Sequence, residues 1–429
     1  MSDGAKEIGS AELRVEGETY TLPVYEGTEH ERAVDMRSLR KQSGLVSFDP
    51  GYVNTGACMS DITFIDGEKG ILRHRGYAIE DLAENKSFLE VAYMLIYGTM
   101  PAADELTSFN QDILRHALLP EDLVQSLRHY PEGSHPMSIL SAVVVSLTNF
   151  YVERADASEE HTRLTVARLL GKMPTIAAFS YKQSKGEPLV YPRADLSYSA
   201  NFLNMMFDST VAPFEPDEAT VKAIDQFFLL HADHEQNCST SAVRLVGSSG
   251  ARLYASISAG VCALWGPLHG GANQHVIEML EMIHREGLSV DDVVQKAIKD
   301  KGFRLFGFGH RVYKTFDPRA RIAKKACEDV LNAMGIQDPL LDIAVELEQR
   351  ALSEPYFQDR NLYPNIDFYT GITLRALGLP TNMFTVLFAI GRLPGWIANY
   401  IELLKDPDLK IGRPRQVYCG ETARSIGQS

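Results

Sequence analysis

From Ala78 onward the apolar residues of this chain recur with the period of a helix, and stop signals break the pattern at short intervals. Ser87 and Glu90 form a capping box ahead of the apolar run Val91–Tyr97, which Gly98 and Pro101 close. The same punctuation returns at Pro120, at Ser134 to Pro136, and at Gly378 to Pro380. A body written this way has to be a packed array of helices. The spacing therefore predicts a mainly helical, all-α protein.

Residues 1–75 have a different texture. Leu13 to Val24 alternate apolar and polar residues around Gly17, and Ile62 to Leu72 do so around the Asp66-Gly67 pair. These are hairpin patterns, so a small β-rich N-terminal portion is expected to precede the helices. No repeat, low-complexity tract or flexible linker interrupts the helical body. The first ten or so residues and the tail after Gly420 are the most prone to disorder. At 429 residues the chain is too long for one simple core. A second domain has to be inserted in the helical body, and the strongly charged stretch 275–380 is the candidate, leaving 76–274 and 381–429 as one large domain.

Bulk properties exclude several functions. A formal net charge of -14 argues against a general nucleic-acid binder, which needs a dense basic face. The five cysteines include no Cys-x-x-Cys pair and point to reduced thiols in a cytoplasm. No secretory leader is expected in the first thirty residues. The longest apolar runs, Ile139–Leu147 and Met383–Ile390, fall short of the roughly 18 residues a membrane span requires.

Four stretches carry chemistry. In HADHEQN, His231 and His234 stand three apart in what reads as a helix face, which suits a metal site, a hydrogen-bonded structural pair or substrate binding. In GPLHGGAN, His269 lies in a tight turn just ahead of a helix start, where the positive dipole end disfavours imidazolium. It is either a neutral donor to a developing oxyanion or a turn histidine holding its own loop. In GFGHRVYKTFDPRA, Gly307 and Gly309 allow backbone angles that bring His310 close to something small, with Lys314 and Arg319 within reach of an anion. In PNIDFY, Asp367 is a helix cap or a catalytic base. Two arginines join them: Arg392 follows an apolar helix and needs a partner, and Arg413 is either part of a solvated basic run or a ligand for a carboxylate.

In this order, the four stretches and two arginines closely resemble the citrate synthase family along nearly the whole chain, and the β-rich N-terminus resembles its longer, hexameric bacterial type (type II). The resemblance implies a helical two-domain fold whose smaller domain closes over substrate, a homodimer as the active unit and a homohexamer as the assembly. It implies condensation of acetyl-CoA with oxaloacetate and hydrolysis of citryl-CoA, the entry step of the tricarboxylic acid cycle, with no cofactor and no metal. His269, His310 and Asp367 match the catalytic trio. His234, Asn237, Arg319, Phe388 and Arg392 match the oxaloacetate pocket, and Arg413 matches an arginine that crosses into the neighbouring subunit's site. Lys314, with Arg311, matches residues facing the coenzyme A phosphates. Some hexameric members are inhibited allosterically by NADH, and Arg115, His116, Tyr151, Arg168 and Lys172 stand where that site's residues are expected. Ala117 departs from the pattern there, as does the lack of a cysteine between Met206 and Phe214. The nearest alternative is a 2-methylcitrate synthase using propionyl-CoA.

Overall fold

A computed structural model describes residues 4–151, 158–300 and 302–426. The chain divides into two compact units, Met1–Ser60 with Lys405–Ser429, and Asp61–Leu404. In the first, β1 (Lys6–Val15), β2 (Glu18–Glu26) and β3 (Arg32–Val34) form an antiparallel sheet in that order. The turn at Glu16 and Gly17 sets Val15 opposite Glu18, so the predicted hairpin is present. Its first strand also corrects an expectation. Lys6 pairs with Glu26 across the ladder, and backbone hydrogen bonds order a segment whose side chains alone read as loose. Residues 1–3 and 427–429 lie outside the described residues. In the same unit the guanidinium of Arg37 bonds both Asp35 and, at 3.1 Å, Asp408, tying the N-terminal part to the segment after Lys405.

The second unit opens with another antiparallel sheet: β4 (Thr63–Asp66), β5 (Ile71–His74) and β6 (Tyr77–Ala78). Among the described residues every longer element after it is a helix, as the periodicity predicts. The Ser87 capping box forms as read, with the Ser87 hydroxyl accepting from Glu90 N–H and the Glu90 carboxylate accepting from Ser87 N–H. Gly98 ends that helix, Phe88–Tyr97, in the left-handed conformation.

The core is organised around helix Phe384–Lys405, buried on every face from Phe384 to Tyr400. A helix apolar all round must lie inside, and Trp396 and Ile397 are fully enclosed. Arg392 is carried into this interior with them, at 2% exposure. Helix Glu159–Ser184 is similarly enclosed through its second half. No described helix is long and apolar enough to cross a membrane.

Candidate active site

Two loops bring a histidine and a carboxylate together. Phe308 bridges Pro364 in antiparallel fashion, Gly309 N–H donates to the Tyr363 carbonyl at 2.8 Å, and Asn365 N–H donates to the Gly307 carbonyl at 2.9 Å. Gly307 and Gly309 hold φ angles of 80° and 77°, the left-handed region expected of glycine in such a loop. The turn of the β4–β5 hairpin supports this loop from outside: Lys314 N–H donates to the Gly67 carbonyl at 2.8 Å. A Cβ at Gly67 would collide with the Val312 carbonyl oxygen. The pairing delivers His310 on one strand of the bridge and the start of helix Ile366–Ala376 on the other.

The cap of that helix is Asn365, whose side chain accepts from Asp367 N–H at 3.0 Å and donates to the Gly309 carbonyl at 2.9 Å. Asp367 is therefore not the cap, contrary to one of the two roles its position allowed, and its carboxylate is left for other work. Burial pushes its pKa up to about 6, against the pull of the nearby Arg319 charge.

Both candidate histidines are fixed as neutral tautomers by backbone. A backbone N–H can only donate, so the ring nitrogen facing it carries no proton. His310 Nδ1 accepts from Val312 N–H at 3.1 Å and from Tyr313 N–H at 3.2 Å, which leaves its N–H on Nε2. His269 is held the other way round. Its Nε2 accepts from Ser239 N–H at 3.2 Å and lies 2.9 Å from Ser239 Oγ, which leaves the N–H on Nδ1. Ser239 opens helix Cys238–Gly247, so the dipole that disfavours imidazolium comes from this helix as well as from Ala272–Glu286, just beyond His269. Burial holds both rings at about 4, helped by Arg392 at His269 and by Arg319 at His310.

The arginines form the cationic, anion-binding side of the site. Arg319, 4% exposed, is locked to Asp317 by two hydrogen bonds, Nε to Oδ1 at 3.0 Å and Nη2 to Oδ2 at 2.9 Å. Asp317 caps helix Pro318–Met334 and also accepts from Ile366 N–H at 3.2 Å, so one carboxylate joins the arginine to the helix bearing Asp367. Arg392 Nε donates to the His231 carbonyl at 2.6 Å and its guanidinium lies 4.9 Å from the Phe388 ring centroid. Among the described residues its Nη1 is buried without a hydrogen-bond partner. A buried guanidinium with an unused donor is built to receive an anion.

The HADHEQN stretch is not the helix face read from its spacing. Helix Glu218–Leu230 ends before it, His231 is the C-cap, and the chain turns through Glu235, at φ 51°, into the Asn237 cap of the next helix. His231 donates from Nδ1 to the Phe227 carbonyl at 2.7 Å, while His234 Nε2 meets the Tyr313 hydroxyl at 3.2 Å. Among the described residues no group of three or more His, Cys, Asp or Glu is placed to hold a metal ion. The His234 ring lies 5.3 Å from that of His310, centroid to centroid, and burial beside Arg319 holds it well below the ordinary histidine range. Asn237 uses its side chain as a cap, accepting from Thr240 N–H at 3.1 Å. Phe388 touches both His231 and His269, with centroid separations of 4.6 and 6.4 Å.

Lys314 and Arg311 are exposed beside this loop, and Arg413 is exposed in the C-terminal segment of the other unit. The remaining candidates assemble separately. Arg168 and Lys172 lie over the Tyr151 ring at 4.2 and 5.2 Å, and Lys172 Nζ donates to the His116 carbonyl at 2.6 Å. Burial and Arg168 lower Lys172 to about 8, and Arg115 stays on the surface paired with Asp112 at 3.4 Å. Sequence reasoning missed Ser239, Tyr313 and Asp317. Asp317, immediately before Pro318, carried a cap signal; the others act through contacts distant in the chain.

Known proteins share both this sequence and this fold. Residues 51–415 match the family model "Citrate synthase, C-terminal domain". Citrate synthase 1 of Mycobacterium tuberculosis is 51% identical over 417 residues, 97% of each chain. The citrate synthase of Pyrobaculum aerophilum superimposes with a TM-score of 0.79 at 38% identity, covering 87% of this chain and 92% of that one. The enzyme of Thermoplasma acidophilum, solved as a ternary complex with carboxymethyl coenzyme A and oxaloacetate, gives 0.79 at 30% identity, with 87% and 96% covered.

Proposed function

Since this chain belongs to the citrate synthase family and is an acyltransferase that converts the acyl group into an alkyl group on transfer, we propose that His269, His310 and Asp367 carry its chemistry. The activity is condensation of acetyl-CoA with oxaloacetate and hydrolysis of citryl-CoA to citrate and CoA. Asp367 takes a proton from the acetyl methyl group. His269 donates from Nδ1 to the enolate oxygen that forms, a preorganised donor whose loss typically costs about 2.7 to 4 kcal/mol in the barrier. His310 donates from Nε2 to the ketone oxygen of oxaloacetate and stabilises the alkoxide as the new carbon–carbon bond closes. Water then cleaves the thioester of citryl-CoA.

Arg319 and Arg392, with His234, Asn237 and Phe388, hold oxaloacetate, and Arg413 of a second subunit completes the pocket. Lys314 and Arg311 face the coenzyme A phosphates. Residues 275–380 form the lobe that closes once oxaloacetate is bound and excludes water from the thioester. The assembly is a homodimer, three of which make the type II hexamer, working in the cytoplasm with no cofactor and no metal. The cluster of Arg115, His116, Tyr151, Arg168 and Lys172 is an allosteric NADH site. The propionyl-CoA alternative is not favoured by relatives half identical to this chain.

One observation carries the reading: two imidazoles are held neutral by backbone N–H groups in opposite tautomers, beside a carboxyl raised to about 6. The test is release of free thiol from acetyl-CoA. Strict dependence on oxaloacetate is expected, with lower rates from propionyl-CoA, slowing by NADH and a hexamer on sizing. Thiol release indifferent to oxaloacetate would overturn the site assignment.

A further inference from the structure

Among the described residues Trp396 is the largest fully buried side chain. It stands on helix Phe384–Lys405, one turn beyond Arg392. Gly260 of helix Leu253–Leu264 makes room for it, since a Cβ there would come within 3.2 Å of the indole and 2.7 Å of the Val243 side chain. A core position that needed only volume would be filled as well by leucine or phenylalanine. An indole also brings an N–H that has to find an acceptor. The acceptor here is a side chain: Nε1 donates to Ser239 Oγ at 3.2 Å.

Ser239 is itself fully buried, and its hydroxyl faces two further groups. Asn237 Oδ1 lies 2.7 Å away and His269 Nε2 2.9 Å. Asn237 Oδ1 accepts from Thr240 N–H at 3.1 Å while Nδ2 donates to the His234 carbonyl at 3.2 Å, which fixes the orientation of that amide. His269 Nε2 accepts from Ser239 N–H at 3.2 Å. Both neighbours are therefore acceptors, and the single hydroxyl hydrogen is divided between them. The indole N–H can only donate, so it occupies a lone pair of Oγ and keeps that hydrogen turned toward Asn237 and His269. Donors in series polarise one another, and the series here runs from Trp396 through Ser239 to the ring of His269.

We propose that Trp396 is a positioning residue for His269: its indole N–H fixes the Ser239 hydroxyl so that the hydroxyl hydrogen bears on His269 Nε2, and the Nδ1–H across the ring becomes a stronger donor to the enolate oxygen. This rests on His269 acting as that donor, as described above. As the enolate forms, its charge is drawn onto the imidazole through the Nδ1–H bond, and the hydrogen bonds at Nε2 are where that charge is met. The proton stays on His269 throughout.

The experiment removes the N–H and keeps an aromatic ring. Trp396→Phe, Ser239→Ala and the double variant are compared by steady-state kinetics and thermal melting. Should Trp396→Phe not fold, β-(3-benzothienyl)alanine at position 396, which has the shape of tryptophan with sulfur in place of the N–H, serves as the second probe. With the N–H gone, kcat is expected to fall about five- to tenfold while KM for oxaloacetate changes less than about twofold. In the Ser239→Ala background the same replacement is expected to lower kcat by less than about twofold, because the hydroxyl through which Trp396 acts is already absent. An equal loss of kcat in both backgrounds overturns the inference and leaves Trp396 a packing role alone. So does an undiminished kcat in folded protein that lacks the N–H. Thiol release by the unmodified protein that ignores oxaloacetate is a separate failure, which removes the site assignment itself and this inference with it.

Discussion

Asp367 shows at the scale of one residue how a site is kept under tension. Its folded-state pKa, about 6, lies above its ordinary value of 3.8, so the folded protein holds this proton more tightly than the unfolded chain. The group therefore adds stability below about pH 4 and withdraws it as pH rises through about 6. At neutral pH the ionised carboxylate weakens the unliganded fold, by about 1 to 3 kcal/mol. Asp367→Asn is thus expected to melt at a higher temperature than the unmodified protein while kcat falls by about 10² to 10⁴. A lower Tm, or retained kcat, contradicts the assignment of base. The same shift predicts an acid limb in the rate profile: kcat/KM drops as Asp367 of the free enzyme is protonated below about pH 6, measurable as kcat/KM against pH.

At the scale of elements, the pairing of residues 307–309 with 363–365 sets the distance between His310 and Asp367. Asn365 does this in two ways, by capping helix Ile366–Ala376 and by bonding the Gly309 carbonyl. The two roles separate by mutation. Asn365→Ser keeps a capping oxygen but cannot reach Gly309, whereas Asn365→Ala loses both and forfeits about 1 kcal/mol of capping. Stability close to that of the unmodified protein is expected for Asn365→Ser, with kcat reduced about tenfold or more because the two reacting groups drift apart. Melting curves beside kcat decide it; a kcat that merely tracks stability across both variants would show that the bridge has no catalytic part. The elements were largely legible beforehand. Ser87 and Glu90 could be read as a cap because both partners lie within one turn, and Gly307 and Gly309 as a special turn because glycine adopts left-handed angles without strain. The helix face read into His231 and His234 failed because helix Glu218–Leu230 stops one residue earlier, where the chain turns to the Asn237 cap.

For the whole molecule the decisive question is whether one chain makes a complete site. With Arg413 of one subunit proposed to sit in the pocket of the other, Arg413→Ala and His269→Ala should complement. In a mixed dimer one site carries both lesions and the other carries neither. Random mixing of equal amounts of the two inactive variants, after dissociation and reassembly, should therefore restore about a quarter of full activity. Assay of the mixture against each variant alone checks this, and no recovery in a confirmed mixed assembly would return Arg413 to the chain it belongs to.

The residue types the chemistry needs, and the helical and hairpin segments that carry them, were determined by the sequence alone. Periodicity, caps and glycine-bearing loops are local properties, and the motifs state their chemistry in a few neighbouring residues. Protonation and partnership were decided by tertiary structure. His269 is neutral with its proton on Nδ1 because Ser239, thirty positions earlier in the chain, points a backbone N–H at Nε2. Arg319 is aligned because Asp317 also caps its helix and receives Ile366, and Asp367 is raised because folding removes it from water. Each of these depends on desolvation or on a contact between distant segments, and neither exists until the chain has packed.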